Sequence, residues 1–227
     1  MAKLDLDFNS LTFDVLDFNP SKNLTSDKLK SKAKLFLEKN NIRESLFKKK
    51  EMQILDNVLE NFKLPKKNQQ IRIRTQQQIN LISILLKIIE QHKKIDALTI
   101  TTYTLNRLSL ETICDLITAK KIKALNLLIS SSYTFRDKKY YSEIKNKIFS
   151  LSKKYKVHLA FAWCHFKITL ARCGTDYYQH EGSMNYSQNN MAENLLIENN
   201  KETYNHDYIF LNETVFLKKN KAIDVIC

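Results

Sequence analysis

Apolar and polar positions divide the chain into a helical part and a part in which short strands and helices alternate. Residues 25–63 carry apolar side chains at intervals of three and four, as amphipathic helices do. Beyond a polar link, β-rich runs take turns with helical repeats. The predicted strands span 71–75, 97–104, 124–132 and 157–163, and the predicted helices include 109–121 and 138–154. This alternation predicts an α/β fold, a mixed sheet flanked by helices, with an N-terminal helical extension.

The helix after the first predicted strand has a candidate start signal. Thr75 and Gln78 have the spacing of a capping box, and the run I-N-L-I-S-I-L-L-K-I-I follows. Asn80, Ser83 and Lys87 interrupt this run, so it is too short and too polar to span a membrane. We therefore expect an amphipathic helix that packs on the sheet.

Composition suggests four regions along the chain. Residues 1–24 form an acidic-aromatic arm, which could dock on a basic surface or be a loosely packed terminus. Residues 25–70 are predicted to be a helical extension and linker. The main α/β domain is expected over 71–200, and 201–227 form a C-terminal segment of open purpose.

The charge of the chain favours an anionic partner. Its net charge is +13, and six arginines stand among thirty-seven basic residues. Lysine is a mobile point charge that attracts phosphate backbones without reading bases. The composition therefore favours nucleic acid as the partner, although solubility or an A+T-rich genome could also produce it.

The cysteines and the N-terminus indicate a cytoplasmic protein. Cys114, Cys164, Cys173 and Cys227 show neither a C-x-x-C pair nor the spacing of a disulfide framework, so reduced thiols are expected. The N-terminus has no basic-then-apolar leader. No His, Cys and Asp cluster has metal-ligand spacing, so we expect no metal. We also expect no other cofactor, and no membrane partner because no apolar stretch is long enough to span a bilayer.

A predicted strand over residues 165–172 carries the first half of a candidate site. Its alternation would put His165, Lys167 and Thr169 on one face. Two residues along a strand span roughly 6.6 Å, so the imidazole and the ammonium could converge on one small anion.

The second half of the candidate site follows a predicted hairpin and contains one of the chain's two glycines. Gly174 lies in the turn sequence C-G-T-D, and the returning strand delivers Gly182 and Ser183, with Asn185 two positions later. Gly182 is expected to allow the backbone to approach a ligand, while Ser183 and Asn185 supply neutral donors. A nucleophile, a cation and neutral donors are what a phosphodiester site needs.

These residues together resemble the motif of the phospholipase D superfamily, in which His-x-Lys is followed by an aspartate and then by Gly-Ser-x-Asn. His165 and Lys167 match the first half, and Gly182, Ser183 and Asn185 match the second. The resemblance implies a phospholipase D-like sheet and metal-independent attack on a phosphodiester through a phosphohistidine intermediate.

The resemblance also implies roles for residues outside the motif. In its nuclease branch a Glu-Asn follows, so Glu193 would orient the ring of His165. The layout is also similar to small single-motif proteins of phages and mobile elements. A single motif implies a homodimer in which two copies of His165 meet, one as nucleophile and one as general acid. Arg172 replaces the family's aspartate, which leaves open a catalytically weak or inactive nucleic-acid-binding or assembly protein.

Other residues at strand ends are weaker candidates. Arg136 could bind phosphate or be an ordinary surface arginine, and Tyr103 could stack a base or line the cleft together with Thr169. Trp163 is expected in the core, and Cys164 is expected to be a packing residue.

The sequence thus predicts a metal-independent phosphodiesterase, a nuclease with DNA as its expected substrate. Phospholipid hydrolysis is disfavoured because no interfacial apolar segment is visible. The predicted catalytic residues are His165, Lys167, Ser183, Asn185 and Glu193. The predicted phosphate-binding residues are Lys167, Gly182, Ser183, Asn185 and Arg136.

Overall fold

Eight strands form one mixed sheet in the part of the chain that the computed structural model describes. This part comprises residues 46–57, 62–77, 79–187, 192–213 and 222–226. The strands are β1 (Gln70–Thr75), β2 (Ala97–Thr102), β3 (Ala124–Ser130), β4 (Lys156–Ala162), β5 (Ile168–Cys173), β6 (Asp176–Gly182), β7 (Glu193–Asn199) and β8 (Ala222–Ile226). The predicted arm, residues 1–24, lies outside the described residues, as does the beginning of the predicted helical extension.

The helices lie between and beside the strands in sequence. They are α1 (residues 46–57), α2 (Leu81–His92), α3 (Arg107–Thr118), α4 (Tyr133–Arg136), α5 (Lys138–Ser152) and α6 (Lys201–Leu211). None of the helices in these described ranges is long and apolar enough to cross a membrane.

The strand order is β1-β7-β6-β5-β2-β3-β4-β8. Strands β2, β3 and β4 are parallel neighbours, and the remaining pairs are antiparallel. The parallel strands are mostly buried, which explains their near-continuous apolar sequence, and helical crossovers connect them. The predicted α/β class with a mixed sheet flanked by helices is confirmed.

Helices cover both faces of the sheet. Ala171 belongs to the main core cluster, whereas its neighbour Leu170 belongs to a second cluster with Tyr204 and Leu211 of α6. Successive strand residues point to opposite faces, so α6 covers the face opposite the main core. Both α6 and β8 come from the predicted C-terminal segment, and β8 pairs with β4.

The predicted capping box is wrong. Thr75 is the last residue of β1, paired with Glu193, and its hydroxyl accepts a hydrogen bond from the amide of Gln77 at 2.8 Å. Helix α2 begins at Leu81 because Asn80 caps it, with the Asn80 side chain accepting from the amide of Ile82 at 3.0 Å. Pairing with β7 thus keeps Thr75 in the sheet.

The topology brings several strand ends to one edge of the sheet. The parallel strands β2, β3 and β4 all end there, β6 and β1 also end there, and β5 and β7 begin there. Residues that follow or precede these ends in sequence, from Tyr103 to Glu193, are therefore neighbours in space. This edge of the sheet is called the site edge below.

Candidate active site

His165 and Lys167 lie in the segment that joins β4 to β5, so the predicted strand over 165–172 begins three residues too early. Strands β3 and β2 separate β4 from β5, so this segment crosses the site edge without a strand to pair with. It ends where the hydroxyl of Thr101 accepts from the amide of Ile168 at 2.7 Å and donates to its carbonyl at 3.1 Å. This anchor on β2 fixes the start of β5 next to Lys167.

The side chain of Lys167 is buried beneath the exposed ring of His165. Lys167 is only 7% exposed, and its Nζ donates to the carbonyl oxygen of His165 at 2.9 Å. The same ammonium lies 3.4 Å from Nδ1 of the imidazole. Burial lowers the pKa of Lys167, and the carboxylate of Glu193 opposes that shift. The structure therefore brings the predicted cation and nucleophile into contact.

Tyr103 joins this pair to Arg136. Its ring centroid is 4.6 Å from that of His165, and the guanidinium carbon of Arg136 lies 4.7 Å from the Tyr103 centroid. The ammonium of Lys167 is 5.8 Å from the same centroid. A phenol ring attracts cations over its face, so Tyr103 holds two positive groups near the imidazole. Both weak candidates from the sequence thus lie at the site.

Ser183 is tied to β7 through its backbone and its side chain. Its amide donates to the carbonyl oxygen of Asn194 at 3.0 Å and to Oδ1 of Asn194 at 2.9 Å. Its hydroxyl donates to Glu193 and accepts from the amide of Asn194 at 3.0 Å. A hydroxyl has one proton, so Ser183 can donate to a phosphate only after releasing Glu193.

Asn185 connects the second half of the motif to the loop that carries Tyr103. Its side-chain oxygen accepts from the amide of Thr104 at 3.1 Å and from the hydroxyl of Thr102 at 3.4 Å. Its amide nitrogen makes a long contact of 3.5 Å with the carbonyl of Ser183. Asn185 is therefore a buried brace, and its amide nitrogen is the atom that could donate to a ligand.

Two sequence predictions at this site concern residues that the structure places in the sheet, Gly182 and Thr169. The space of a side chain at Gly182 is filled by the carbonyl of Asn194, so glycine is required there by the pairing of β6 with β7. Its approach to a ligand stays a prediction. Thr169 has no exposed surface and bonds the hydroxyl of Tyr186 at 2.9 Å, so the prediction that it lines the substrate cleft is wrong.

Arg172 lies at the opposite end of β5 from the site edge. Arg172 is exposed and pairs with Ala97, the first residue of β2. The candidate site residues lie at the other end, beyond Thr102, the last residue of β2. The replacement of the motif aspartate by Arg172 therefore removes no group from the site itself.

Trp163 and Cys164, which follow β4, differ in their surroundings. Trp163 is 78% exposed, so the prediction that it is a core residue is wrong, because it lies beyond the end of β4. Burial raises the pKa of the Cys164 thiol to about 11, which keeps it protonated near neutral pH. Cys164 also packs against the buried side chains of Leu128 and Ala160, as a packing residue does.

A cavity of about 600 Å³ opens beside His165 and Lys167. It is also lined by Ser183, and on its far side by Arg72 and Arg74 of β1. Sequence reasoning missed both arginines, although the alternation of I-R-I-R-T showed that they share one strand face. The cavity is thus bordered by cationic groups on two sides. The described ranges contain no group of three or more His, Cys, Asp or Glu side chains placed to hold a metal ion.

Similarity to known proteins is found in structure and not in sequence. No family model and no curated protein sequence matches it. Among solved structures, polyphosphate kinase from Porphyromonas gingivalis is similar with a TM-score of 0.47 at 8% identity, over 64% of this chain and 26% of that one. Phosphatidylserine synthase from Haemophilus influenzae is similar with a TM-score of 0.44 at 12% identity, over 75% of this chain and 44% of that one. The chain thus spans less than half the length of either protein.

Proposed function

We propose that the chain is a metal-independent phosphodiesterase of the phospholipase D type that cleaves nucleic acid, with DNA as the expected substrate. The observation that carries this proposal is the exposed ring of His165 set against the buried ammonium of Lys167 beside a cation-bordered cavity. An accessible imidazole can attack phosphorus, and a desolvated cation can stabilise the charge that develops on the phosphate oxygens.

The contact between Lys167 and His165 defines what must change when substrate binds. An ammonium only donates, so Nδ1 accepts in this contact and the proton of a neutral ring is on Nε2. Attack through Nε2 requires the other tautomer. A phosphate that draws Lys167 towards itself releases Nδ1, which can then carry the proton and hydrogen-bond to a carboxylate such as Glu193.

The proposed reaction has two displacements at phosphorus. Nε2 of His165 forms a bond to phosphorus while the bond to the leaving oxygen breaks, and a general acid protonates that oxygen. Water then attacks the phosphohistidine, returning the imidazole and releasing a phosphomonoester. Lys167 and Arg136 would bind the non-bridging oxygens, with Asn185 and a reoriented Ser183 as neutral donors.

The general acid is proposed to be His165 of a second copy. All five histidines lie in the described ranges, where three of the other four contact side chains away from the site and the fourth is buried. His92 contacts Tyr178, His158 contacts Asn126, His206 contacts Asp207, and His180 is fully buried. We therefore propose that the second imidazole comes from a second copy of the chain in a homodimer.

Exposed apolar side chains at the site edge support such pairing. Trp163 is 78% exposed after β4, and Phe135 is 71% exposed in α4, which follows β3. Large exposed apolar side chains on a charged surface are typical of a surface that binds another protein. The surface that carries Trp163 and Phe135 adjoins His165.

A second candidate function is nucleic-acid binding without turnover. The Ser183 hydroxyl proton is engaged by Glu193, and Nδ1 of His165 faces an ammonium. A site that kept these contacts when occupied would bind phosphate without cleaving it.

A nuclease assay with matched histidine variants separates these functions. Plasmid and oligonucleotide are incubated in EDTA with wild type, His165→Ala and His158→Ala, the last being an exposed histidine on β4. Cleavage by wild type and His158→Ala but not by His165→Ala is expected. Loss of wild-type activity in EDTA, or full activity of His165→Ala, would refute the proposal. Salt-sensitive binding without any cleavage would favour the second function.

A further inference from the structure

Strand β1 carries two arginines that lie outside the phospholipase D-like motif. Arg72 and Arg74 are two residues apart, so they share one face at a spacing of roughly 6.7 Å, while Ile73 between them is buried in the core. Both are exposed, and neither forms an ion pair within the described part of the chain. No carboxylate of the described residues thus neutralises their charges.

The register of the sheet places these arginines on the same surface as the candidate active site. Arg72 is opposite Leu196, Leu196 is opposite Glu181, and Glu181 is opposite Ile168 at the start of β5. Directly opposed residues point to the same face. The same cavity of about 600 Å³ is lined by residues from this row and by Lys167.

The distance across this surface leaves room for an extended ligand. Three interstrand spacings separate the backbones of β1 and β5, which is about 14 Å. A ligand that lies along this distance, from Lys167 to β1, can carry more than one anionic group.

The floor between the two ends is partly apolar. Leu196, Ile168 and Phe166 line the cavity there, and Glu181 is the carboxylate among the lining residues. Helix α6 covers the neighbouring row, where Gln179 donates to Asp207 at 2.7 Å, and borders the cavity at Ile168 and Phe166. The apolar part of the floor suits sugars and bases, whereas a chain made only of phosphates would gain nothing from it.

We propose that Arg72 and Arg74 form a second anion-binding subsite that holds the phosphates next to the scissile one in a single strand of nucleic acid. The strand would run from Lys167 over Leu196 to β1. This inference rests on the proposed function for the identity of the scissile phosphate. Arginine suits the task because its planar guanidinium can bind one phosphate with two hydrogen bonds.

Binding measurements test the subsite without depending on turnover. In a His165→Ala background, a fluorescein-labelled single-stranded DNA 12-mer is titrated across salt concentrations, with and without Arg72→Gln and Arg74→Gln. The salt slope is expected to fall by about 1.4 in the double arginine variant, since each single-strand phosphate contact contributes about 0.7. Arg172→Gln, an exposed arginine at the opposite end of β5, is the control and should keep the slope.

Cleavage measurements with two substrates complete the test. The double arginine variant should lower kcat/KM for the 12-mer at least about ten times more than it lowers kcat/KM for bis(p-nitrophenyl) phosphate. The latter substrate has a single phosphodiester and no neighbouring phosphate for the subsite to hold. An unchanged salt slope, or a slope equally reduced by Arg172→Gln, would overturn the subsite. Tighter binding of inorganic polyphosphate than of DNA with equal phosphate number would overturn its assignment to nucleic acid. An arginine-dependent slope without cleavage would support the subsite while contradicting the proposed hydrolysis.

Discussion

The carbonyl group of Asn194 occupies the space that a side chain at position 182 would need, so β6 and β7 leave no room for a Cβ at Gly182. The same carbonyl accepts the amide of Ser183, and the Asn194 side chain accepts it as well. The contact therefore fixes where the motif serine stands relative to Glu193. One glycine sets the geometry of the second half of the site.

Gly182→Ala is expected to be the more damaging of the two possible glycine substitutions. A methyl group at 182 would collide with a backbone atom that cannot move without breaking the hydrogen bonds to Ser183, and such overpacking costs about 1–3 kcal/mol. Gly174→Ala is the control, because its φ of 61° is strained for alanine but no atom lies within contact distance. Urea unfolding should show the larger loss for Gly182→Ala, together with loss of activity. Equal destabilisation by the two variants would contradict this account.

Lys167 is expected to control the alkaline limb of the pH–rate profile. Burial lowers its pKa, so the charged form that binds phosphate is lost as pH rises through a value below that of an ordinary lysine. Measured between pH 6 and pH 11, kcat/KM for bis(p-nitrophenyl) phosphate should fall on that limb. In Lys167→Arg the limb should move upward, because guanidinium stays charged in this range.

The neutral variant Lys167→Met should lose catalysis more than stability. Removing a group that stabilises the charged transition state typically costs about 10²–10³-fold in kcat. Lys156→Met, an exposed lysine at the start of β4, is the control. An identical alkaline limb in Lys167→Arg, or full activity in Lys167→Met, would remove Lys167 from the proposed mechanism.

Site features that depend on residues close in sequence could be predicted, whereas features that depend on contacts between distant strands could not. The spacing of His165 and Lys167 and the turn at Gly174 are local, and the structure has the hairpin where it was predicted. The start of β5 was misjudged because Thr101, on a strand sixty-odd positions earlier, ends the crossing segment. Alternation of apolar and polar residues with a period of two shows that a segment can form a strand, but it does not show whether another strand pairs with it.

The two arginines of β1 illustrate the same limit more strongly. Their alternation was visible in I-R-I-R-T, but the pairing of β1 with β7 joins parts of the chain more than a hundred residues apart. Only that pairing places Arg74 opposite Asn194 and thus next to the motif serine. The exposure of Trp163 was likewise invisible, since it depends on β4 ending one residue earlier.

His180 is expected to make the fold sensitive to acid. It is fully buried on β6, neither ring nitrogen has a hydrogen-bond partner in the described structure, and burial lowers its pKa to about 3. His180 binds a proton near pH 6.5 in the unfolded chain but only near pH 3 in the folded chain. The free energy of unfolding is therefore unaffected by protonation of His180 above pH 6.5, and it decreases as the pH falls from 6.5 towards 3. The slope from this one group is about 1.4 kcal/mol per pH unit.

Urea unfolding at pH 7 and pH 5 measures this contribution. Between these two pH values, the free energy of unfolding should decrease by about 2 kcal/mol less in His180→Leu than in wild type. His158→Leu, which replaces an exposed histidine on β4, serves as the control for the substitution of histidine by leucine. Equal pH dependence in His180→Leu and wild type would show that the ring is hydrated or paired in the folded protein.

Trp163 and Phe135 are expected to hold two copies together across the site edge. Both are large, apolar and largely exposed, and both adjoin the segments that carry His165 and Arg136. Replacing both with serine should weaken the dimer about 30-fold or more, which corresponds to a combined contribution of about 2 kcal/mol. Sedimentation velocity over a concentration series gives the dissociation constant.

A matched surface substitution shows whether this effect belongs to the site edge. Phe149→Ser removes an aromatic ring that is 50% exposed on α5 and should leave the dimer intact. If pairing supplies the general acid, the specific activity of Phe135→Ser/Trp163→Ser should recover at high protein concentration, where the weakened dimer reforms. Activity that is independent of concentration in a monomeric variant would mean that one copy of His165 is sufficient, and the two-histidine mechanism would fail.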